Sequence, residues 1–125
     1  MSVIKLTPNT MEVIPLPDSL AKWHKELNCS CFTVTYRPIN NKLYAIFADD
    51  EGLLKQGYVP TLILDYDNNK RYNGVLVGNL IITNESTDEE GFTLPLTEED
   101  IVSIKANLKT VQHRYKKEYA WRCNE

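Results

Sequence analysis

Residues 72–83 constrain the fold of this chain more than any other stretch, because they lack the alternation of polar and apolar residues that marks a surface strand. A β-strand over these residues would be apolar on both faces, with Val75, Val77 and Ile81 on one and Leu76, Leu80 and Ile82 on the other. Such a strand is covered on both faces in a folded protein. Residues 72–83 are therefore predicted to form the centre of a sheet, and Gly78 predicts a bulge or the close approach of another backbone.

The size and composition of the chain predict one soluble domain over residues 1–125. A chain of 125 residues with 42% hydrophobic and 25% charged residues is typical of a globular domain with its own core. The net charge of −3 argues against a general nucleic-acid binder and is too small for a DNA mimic by charge alone. The three cysteines (Cys29, Cys31 and Cys123) are expected to be reduced thiols, and the apolar runs are too short for a membrane span. We expect a cytoplasmic protein.

The other segments predict an α+β fold. Short strands are expected at residues 3–6, 11–16, 31–37 and 42–48, which gives a mostly antiparallel sheet of five or six strands. A short helix near residues 18–28 is capped by Asp18 or Ser19 and ends at Asn28. A long helix near residues 98–119 has Thr97 as its N-cap and acidic residues in its first turn. Its apolar residues recur every three or four positions: Ile101, Ile104, Leu108, Val111, Tyr115 and Tyr119.

Two acidic turns are candidate partner-binding surfaces. One contains Asp49, Asp50 and Glu51, and the other contains Asp88, Glu89 and Glu90. Neither has the spacing of a calcium-binding loop. The alternative is that both are solvated turns at the ends of the sheet.

The C-terminal segment is a candidate basic surface, since residues 101–122 contain six basic residues and one acidic residue. Cations interleaved with aromatic residues can bind phosphates and stack bases, or can contact an acidic partner. The alternative is a solvated helix face whose basic end complements the helix dipole. The candidate basic residues are Lys70, Arg71, Lys105, Lys109, Arg114, Lys116, Lys117 and Arg122.

No catalytic or metal-binding motif is present in the sequence. It contains no nucleophile elbow, phosphate-binding loop, dinucleotide-binding glycine motif or metalloprotease motif. Cys29-Ser30-Cys31 resembles half a metal site but lacks a second pair. We therefore predict no enzyme, no cofactor and no metal. A groove for a small ligand would require the side chains of Tyr44, Tyr58 and Tyr72 to converge.

Residues 43–55 and 74–83 resemble the small proteins grouped as domain of unknown function 3846, which occur on phages, plasmids and integrated elements of bacteria. The matching features are Glu51-Gly52, Pro60, the apolar residues 75–82 and the helix start at residues 96–100. The resemblance covers about residues 2–108, and the basic segment after Leu108 is an addition of this chain. It implies no established activity. It does imply a mobile-element origin, and small proteins of that origin often block a host nuclease or sequester a host signal.

These observations lead to a main functional hypothesis and two alternatives. We expect a non-enzymatic phage or plasmid protein that binds and inhibits a host protein, such as a defence nuclease of the CRISPR type. The first alternative is a nucleic-acid or nucleotide-binding protein that uses the basic C-terminal helix. The second is a scaffold or homo-oligomer without a ligand. Phosphate binding would weaken steeply with salt, whereas a protein interface with an apolar centre would survive moderate salt.

Overall fold

The computed structural model describes residues 1–8, 10–51, 60–63, 75–112 and 119–123. Its helices are α1 (Leu20–Leu27) and α2 (Glu98–Asn107). Its strands are β1 (Ser2–Thr7), β2 (Thr10–Pro15), β3 (Phe32–Ile39), β4 (Lys42–Asp49), β5 (Pro60–Ile63), β6 (Val75–Val77), β7 (Leu80–Asn84), β8 (Leu108–Gln112) and β9 (Tyr119–Cys123). The protein has the predicted α+β fold, with a five-stranded antiparallel sheet, a second small sheet and two helices.

The large sheet has the strand order β2-β1-β7-β4-β3. Two local hairpins, β1–β2 and β3–β4, supply its outer strands, and β7 lies between them. Ile82 of β7 is the register partner of Ile4 on one side and of Ile46 on the other. The sheet is therefore centred on the second half of the apolar stretch that the sequence singles out.

Strand β7 is covered on both faces, as the sequence predicts. Leu80, Ile81 and Ile82 are completely buried. Leu80 and Ile82 belong to the larger core cluster, which includes Ile104 of α2. Ile81 belongs to a second cluster with Leu27 of α1. Full burial of one such side chain stabilises the folded state by about 1.5–3 kcal/mol relative to exposure, so this strand anchors both layers.

The prediction of one continuous strand over residues 72–83 is wrong, because the chain changes sheets at Gly78. This residue has a φ of +74°, a conformation that glycine adopts without the steric cost of a side chain. Among the described residues, a Cβ at Gly78 would meet nothing within 4 Å, so they show no close backbone approach, which was one of the two alternatives for this glycine. The irregularity lies opposite, in β5, where the register shifts around Thr61 and the Thr61 hydroxyl donates to the Gly78 carbonyl oxygen.

The second sheet has the order β6-β5-β9-β8 and was not predicted. Strand β9 runs parallel to β5, with Leu62 opposite Trp121, and pairs antiparallel with β8. Strand β5 begins at Pro60, a position where a missing N–H is tolerated.

Helix α1 has the predicted ends. The Ser19 hydroxyl accepts from the Lys22 amide at 3.2 Å, and Asn28 ends the helix in the left-handed conformation. Leu27 is buried and Trp23 is half-buried, which places the helix across one face of the large sheet. Leu20, the first residue of the helix, is exposed.

The prediction of a long helix over residues 98–119 is wrong, because α2 ends at Asn107. Leu108 leaves the helical conformation with φ −109° and ψ 135°, and β8 begins there. The three- and four-residue spacing holds as far as the buried residues Ile104 and Leu108. Beyond them, β-branched Thr110 and Val111 favour a strand, and pairing with β9 outweighs the helical periodicity.

Candidate functional site

Asp100 is the most highly connected ionisable residue that the structure describes. It lies in the first turn of α2 and is only 4% exposed. Its Oδ1 accepts from the Lys42 Nζ at 2.6 Å and from the Tyr44 hydroxyl at 2.9 Å. Its Oδ2 accepts from the Thr97 amide at 3.0 Å, while the Thr97 hydroxyl accepts from the Asp100 amide at 3.1 Å, which completes a capping box.

This network favours the ionised form of Asp100 and the neutral form of Tyr44. Burial by itself raises the pKa of Asp100, but hydrogen bonds from Lys42, Thr97 and Tyr44 outweigh it and lower the pKa to about 2. Burial, with Asp100 beside it, raises the pKa of the Tyr44 hydroxyl above its ordinary value. Asp100 is thus ionised at neutral pH with both oxygens engaged. This arrangement is suited to locking α2 onto β4 rather than to proton transfer.

The sequence located Asp100 only as a first-turn acid. Its partners Lys42 and Tyr44 lie 58 and 56 residues away along the chain, and no local pattern connects them. Tyr44, the first of the proposed groove aromatics, is buried in the core against Asp100. Tyr44 is therefore not available to line an open groove. Tyr58 and Tyr72 lie outside the described residues.

Residues 84–94 form a hairpin that continues β7 beyond the sheet, which we call the acidic arm. The Asn84 amide donates to the Leu94 carbonyl oxygen and the Leu94 amide to the Ser86 carbonyl oxygen, both at 3.2 Å. Thr87 and Thr93 form a bridge farther out. At the base, the hydroxyls of Thr83 and Thr93 lie 3.0 Å apart. These bonds hold the arm as an ordered ribbon.

The tip of the acidic arm is a preorganised turn. The Asp88 Oδ1 accepts from the amides of Glu90 and Phe92, both at 2.9 Å, and Gly91 has a φ of +87°. An Asp at the first position with a left-handed Gly after the turn is the usual chemistry of a three- or four-residue hairpin loop. Asp88 thus shapes the turn, while Glu89 and Glu90 project from it into solvent.

Phe92 follows this turn and is 65% exposed. A large aromatic ring at the tip of an ordered acidic hairpin is the kind of side chain that anchors protein interfaces. The sequence reasoning did not single out Phe92. The available signal was an aromatic residue directly after an Asp-Glu-Glu-Gly turn.

The structure does not bring the two predicted acidic surfaces together. The pairing of β4 with β7 runs from Tyr44–Asn84 at one end to Phe47–Ile81 at the other. The first acidic turn, with Asp49, Asp50 and Glu51, follows the Phe47 end. The acidic arm leaves the sheet at the opposite end, beyond the Tyr44–Asn84 pair. The Asp49 Oδ1 accepts from the Glu51 amide at 2.9 Å, which orders the first turn locally. The two turns therefore act as separate surfaces.

The described residues of the predicted basic surface do not share one helix. Lys105 is exposed on α2, whereas Lys109 and Arg122 belong to β8 and β9 and are register partners across that pair. The remaining candidates, Lys70, Arg71, Arg114, Lys116 and Lys117, lie outside the described residues.

Two further findings concern the described part of the chain. Within it, no three His, Cys, Asp or Glu side chains come together as a metal-ligand set. No helix in the same ranges is long and apolar enough to cross a membrane.

Comparison with known proteins gives one match. The sequence matches the model of a family described as Domain of unknown function (DUF3846) over residues 1–109. No curated protein and no solved structure matches. The match contains the large sheet and both helices and ends within β8, so β9 lies beyond it.

Proposed function

The chain belongs to the DUF3846 family, and from that premise we propose that it is a non-enzymatic protein of a phage or plasmid that binds and inhibits a host protein. The host protein that we propose is a defence nuclease. The observation that carries the proposal is the acidic arm with the exposed Phe92 at its tip.

The charge of this region supports a partner with a basic surface. Residues 84–100 contain seven acidic residues and no Lys or Arg. Of these acidic residues, Asp100 is buried and paired, while Glu85, Glu89, Glu90, Glu98 and Glu99 are exposed. Separated surfaces of one sign steer association and select partners of the opposite sign. A nuclease carries basic surfaces because it must hold the phosphates of its substrate.

The order of the arm supports binding rather than a solvated loop. Asp88 and Gly91 hold the tip in one conformation before any partner arrives. A preorganised interface loses less conformational entropy on association, so a larger part of the contact energy remains as affinity. Phe92 supplies the apolar anchor and the glutamates supply a polar rim.

The test is inhibition of nuclease-based defence in a bacterial cell. Cells with such a defence are infected while they express the wild-type protein, an arm variant or a control. The arm variant carries Glu85→Gln, Glu89→Gln, Glu90→Gln and Phe92→Ser. The control carries Glu12→Gln, Asp50→Asn, Glu51→Gln and Leu20→Ser. It removes as much exposed charge, at Glu12 and at the other acidic turn, which this proposal does not use, and one exposed apolar side chain.

The wild type and the control are expected to restore phage plating, and the arm variant to lose this effect. A nuclease-treated pull-down washed at moderate salt then identifies the inhibited protein. If the arm variant protects phage as well as the wild type does, the arm is not the inhibitory surface. If no form protects phage against any nuclease system, the proposed activity is wrong.

One observation favours a second candidate function, nucleic-acid binding. Lys109 and Arg122 are register partners on the β8–β9 pair, and Thr110 is the partner of Trp121. Two-stranded ribbons bind nucleic acid in several protein classes. In this case affinity for a single-stranded oligonucleotide would fall steeply with salt, and Lys109→Gln with Arg122→Gln would flatten the dependence.

A further inference from the structure

The face of the β3–β4 hairpin that packs against α1 is covered over only half its length. Directly opposite residues of an antiparallel pair share a face, as do alternate residues along one strand. The pairs Val34–Phe47, Tyr36–Ala45 and Pro38–Leu43 therefore lie on one face. Trp23 of α1 packs on Phe47 with ring centroids 4.7 Å apart. The helix thus covers the Phe47 half.

The other half of this face exposes apolar side chains. Tyr36 is 47% exposed and Leu43 is 42% exposed, and Pro38 beside them is also exposed. We call these residues the hairpin patch. The neighbouring Ala45 on the same face is buried.

The edge of β3 next to the patch is closed to strand addition. Ile39 and Lys42 flank a two-residue turn and therefore form a hydrogen-bonded pair. Hydrogen-bonded and non-hydrogen-bonded pairs alternate along an antiparallel ladder. The backbone N–H and C=O groups at Tyr36 and Pro38 therefore point away from β4. The Arg37 guanidinium donates to the Tyr36 carbonyl oxygen at 2.9 Å, and Pro38 has no N–H. Both features block pairing with another strand at an open edge. A partner therefore covers the face rather than extends the sheet.

The acidic arm borders the hairpin patch. Asn84, where the arm begins, is the register partner of Tyr44, which is adjacent to Leu43 in β4. Thr83 is the partner of Ala45 and so lies on the patch face, and its hydroxyl contacts that of Thr93 in the returning strand of the arm. The patch thus lies between α1 and the carboxylates of the arm.

We infer that the hairpin patch and the acidic arm together bind an amphipathic helix of a partner protein, whose apolar stripe covers the patch and whose Lys and Arg residues face the arm. This inference rests on the proposed function and specifies the chemistry of its partner. A helix is the element that covers the same face at α1. The exposed part of β3 on this face runs from Tyr36 to Pro38 and spans roughly 7 Å, which corresponds to about four or five helical residues.

The test uses three synthetic peptides of 14 residues, a length chosen to exceed the patch. The first two contain only Leu and Lys, in the same numbers. In the helical peptide Leu recurs at spacings of three and four, and in the alternating peptide it stands at every second position. The third has the helical spacing with Glu in place of Lys. Each is titrated into the full-length isotope-labelled protein, and NMR shifts of Tyr36, Leu43 and the arm amides report binding.

We expect the helical Leu/Lys peptide to bind with shifts at both the patch and the arm, and the other two peptides to bind far more weakly. The variant Tyr36→Ser with Leu43→Ser raises the Kd of the helical peptide about tenfold. The matched control Val13→Ser with Leu20→Ser removes exposed apolar side chains elsewhere and leaves the Kd unchanged. Because Tyr36 and Leu43 are already exposed, their substitution preserves the fold.

Several outcomes would overturn the inference. They are an unchanged Kd in the patch variant, equal binding of the alternating peptide, or absence of binding by the helical peptide. A wild-type dimer that the patch substitutions dissociate in sedimentation would assign the patch to a second copy and would also overturn it. None of these results decides the proposed function, because phage protection is tested separately through the arm variant.

Discussion

At the scale of single residues, Asp100 holds distant parts of the chain together. One carboxylate caps α2 through Thr97 and binds the side chains of Lys42 and Tyr44 on β4. The carboxylate is buried, although the Lys42 side chain is half exposed. Loss of the carboxylate charge weakens several hydrogen bonds at a buried polar site, which is a costly change.

We expect Asp100→Asn to lower the free energy of unfolding by roughly 2 to 3 kcal/mol. The amide keeps the shape of the side chain but loses the charge that Lys42 neutralises. Urea unfolding at neutral pH measures the change. Glu99→Gln is the control, because Glu99 is exposed in the same helical turn and its substitution should stay within about 0.5 kcal/mol. Equal effects of the two variants would contradict the structural role of Asp100.

The lowered pKa of Asp100 predicts that the free energy of unfolding decreases at acid pH. The pKa of Asp100 is about 2 in the folded protein, below its ordinary value of 3.8. The ionised carboxylate therefore contributes its full stabilisation above pH 3.8, and this contribution is lost as the pH falls toward 2. The difference corresponds to about 2 kcal/mol.

Unfolding measured between pH 2 and 5 should therefore show a shallower pH dependence in Asp100→Asn than in the wild type. Glu99→Gln again serves as the control and should follow the wild type. Parallel curves for the wild type and Asp100→Asn would show that other carboxylates dominate acid unfolding.

At the scale of elements, the β3–β4 hairpin depends on its two-residue turn. Asn40 and Asn41 have φ values of 52° and 67°, and Asn tolerates this left-handed region better than other residues with a side chain. The Asn40 side chain also donates to the Ser103 hydroxyl of α2 at 3.2 Å, so Asn41 is the cleaner position to test.

Asn41→Ala is expected to lower the free energy of unfolding by about 1 kcal/mol, because alanine pays the steric cost of a left-handed conformation. Asn41→Gly removes that cost and should be at least as stable as the wild type. Thermal or urea unfolding of the pair measures the difference. If Ala and Gly are equivalent, the turn is not strained at this position.

The elements also differ in how well local sequence specifies them. Helix α1 is predicted to its ends because Ser19 and Asn28 carry recognisable cap chemistry. Helix α2 is predicted at its start, where Thr97 and Asp100 form the capping box, but not at its end. Leu108 has no glycine or proline after it to mark the stop.

At the scale of the whole molecule, the two sheets should differ in local stability. Strand β7 has a paired strand on each side and a packed layer on each face. Strand β8 lies at an edge of the second sheet, and among the described residues β9 pairs with β5 at Leu62–Trp121 and Ile63–Arg122.

Native-state hydrogen exchange should therefore show the slowest amides in β1, β4 and β7, and faster exchange in β8 and β9. The opening free energy of β7 is expected to match that of global unfolding. If β8 and β9 exchange as slowly as β7, the two sheets open as one cooperative unit and the predicted hierarchy is wrong.

The sequence by itself determined the α+β class, the two N-terminal strands, the start of both helices and the burial of residues 80–82 on both faces. Each of these rests on a local signal: a cap, a turn, or a run of apolar residues. Only the tertiary structure decided that the apolar stretch divides between two sheets at Gly78, that residues after Asn107 form a strand, and that Asp100 binds Lys42. It also decided that Phe92, Tyr36 and Leu43 remain exposed. These features depend on groups far apart along the chain, and spacing along the sequence carries no information about which distant surfaces meet.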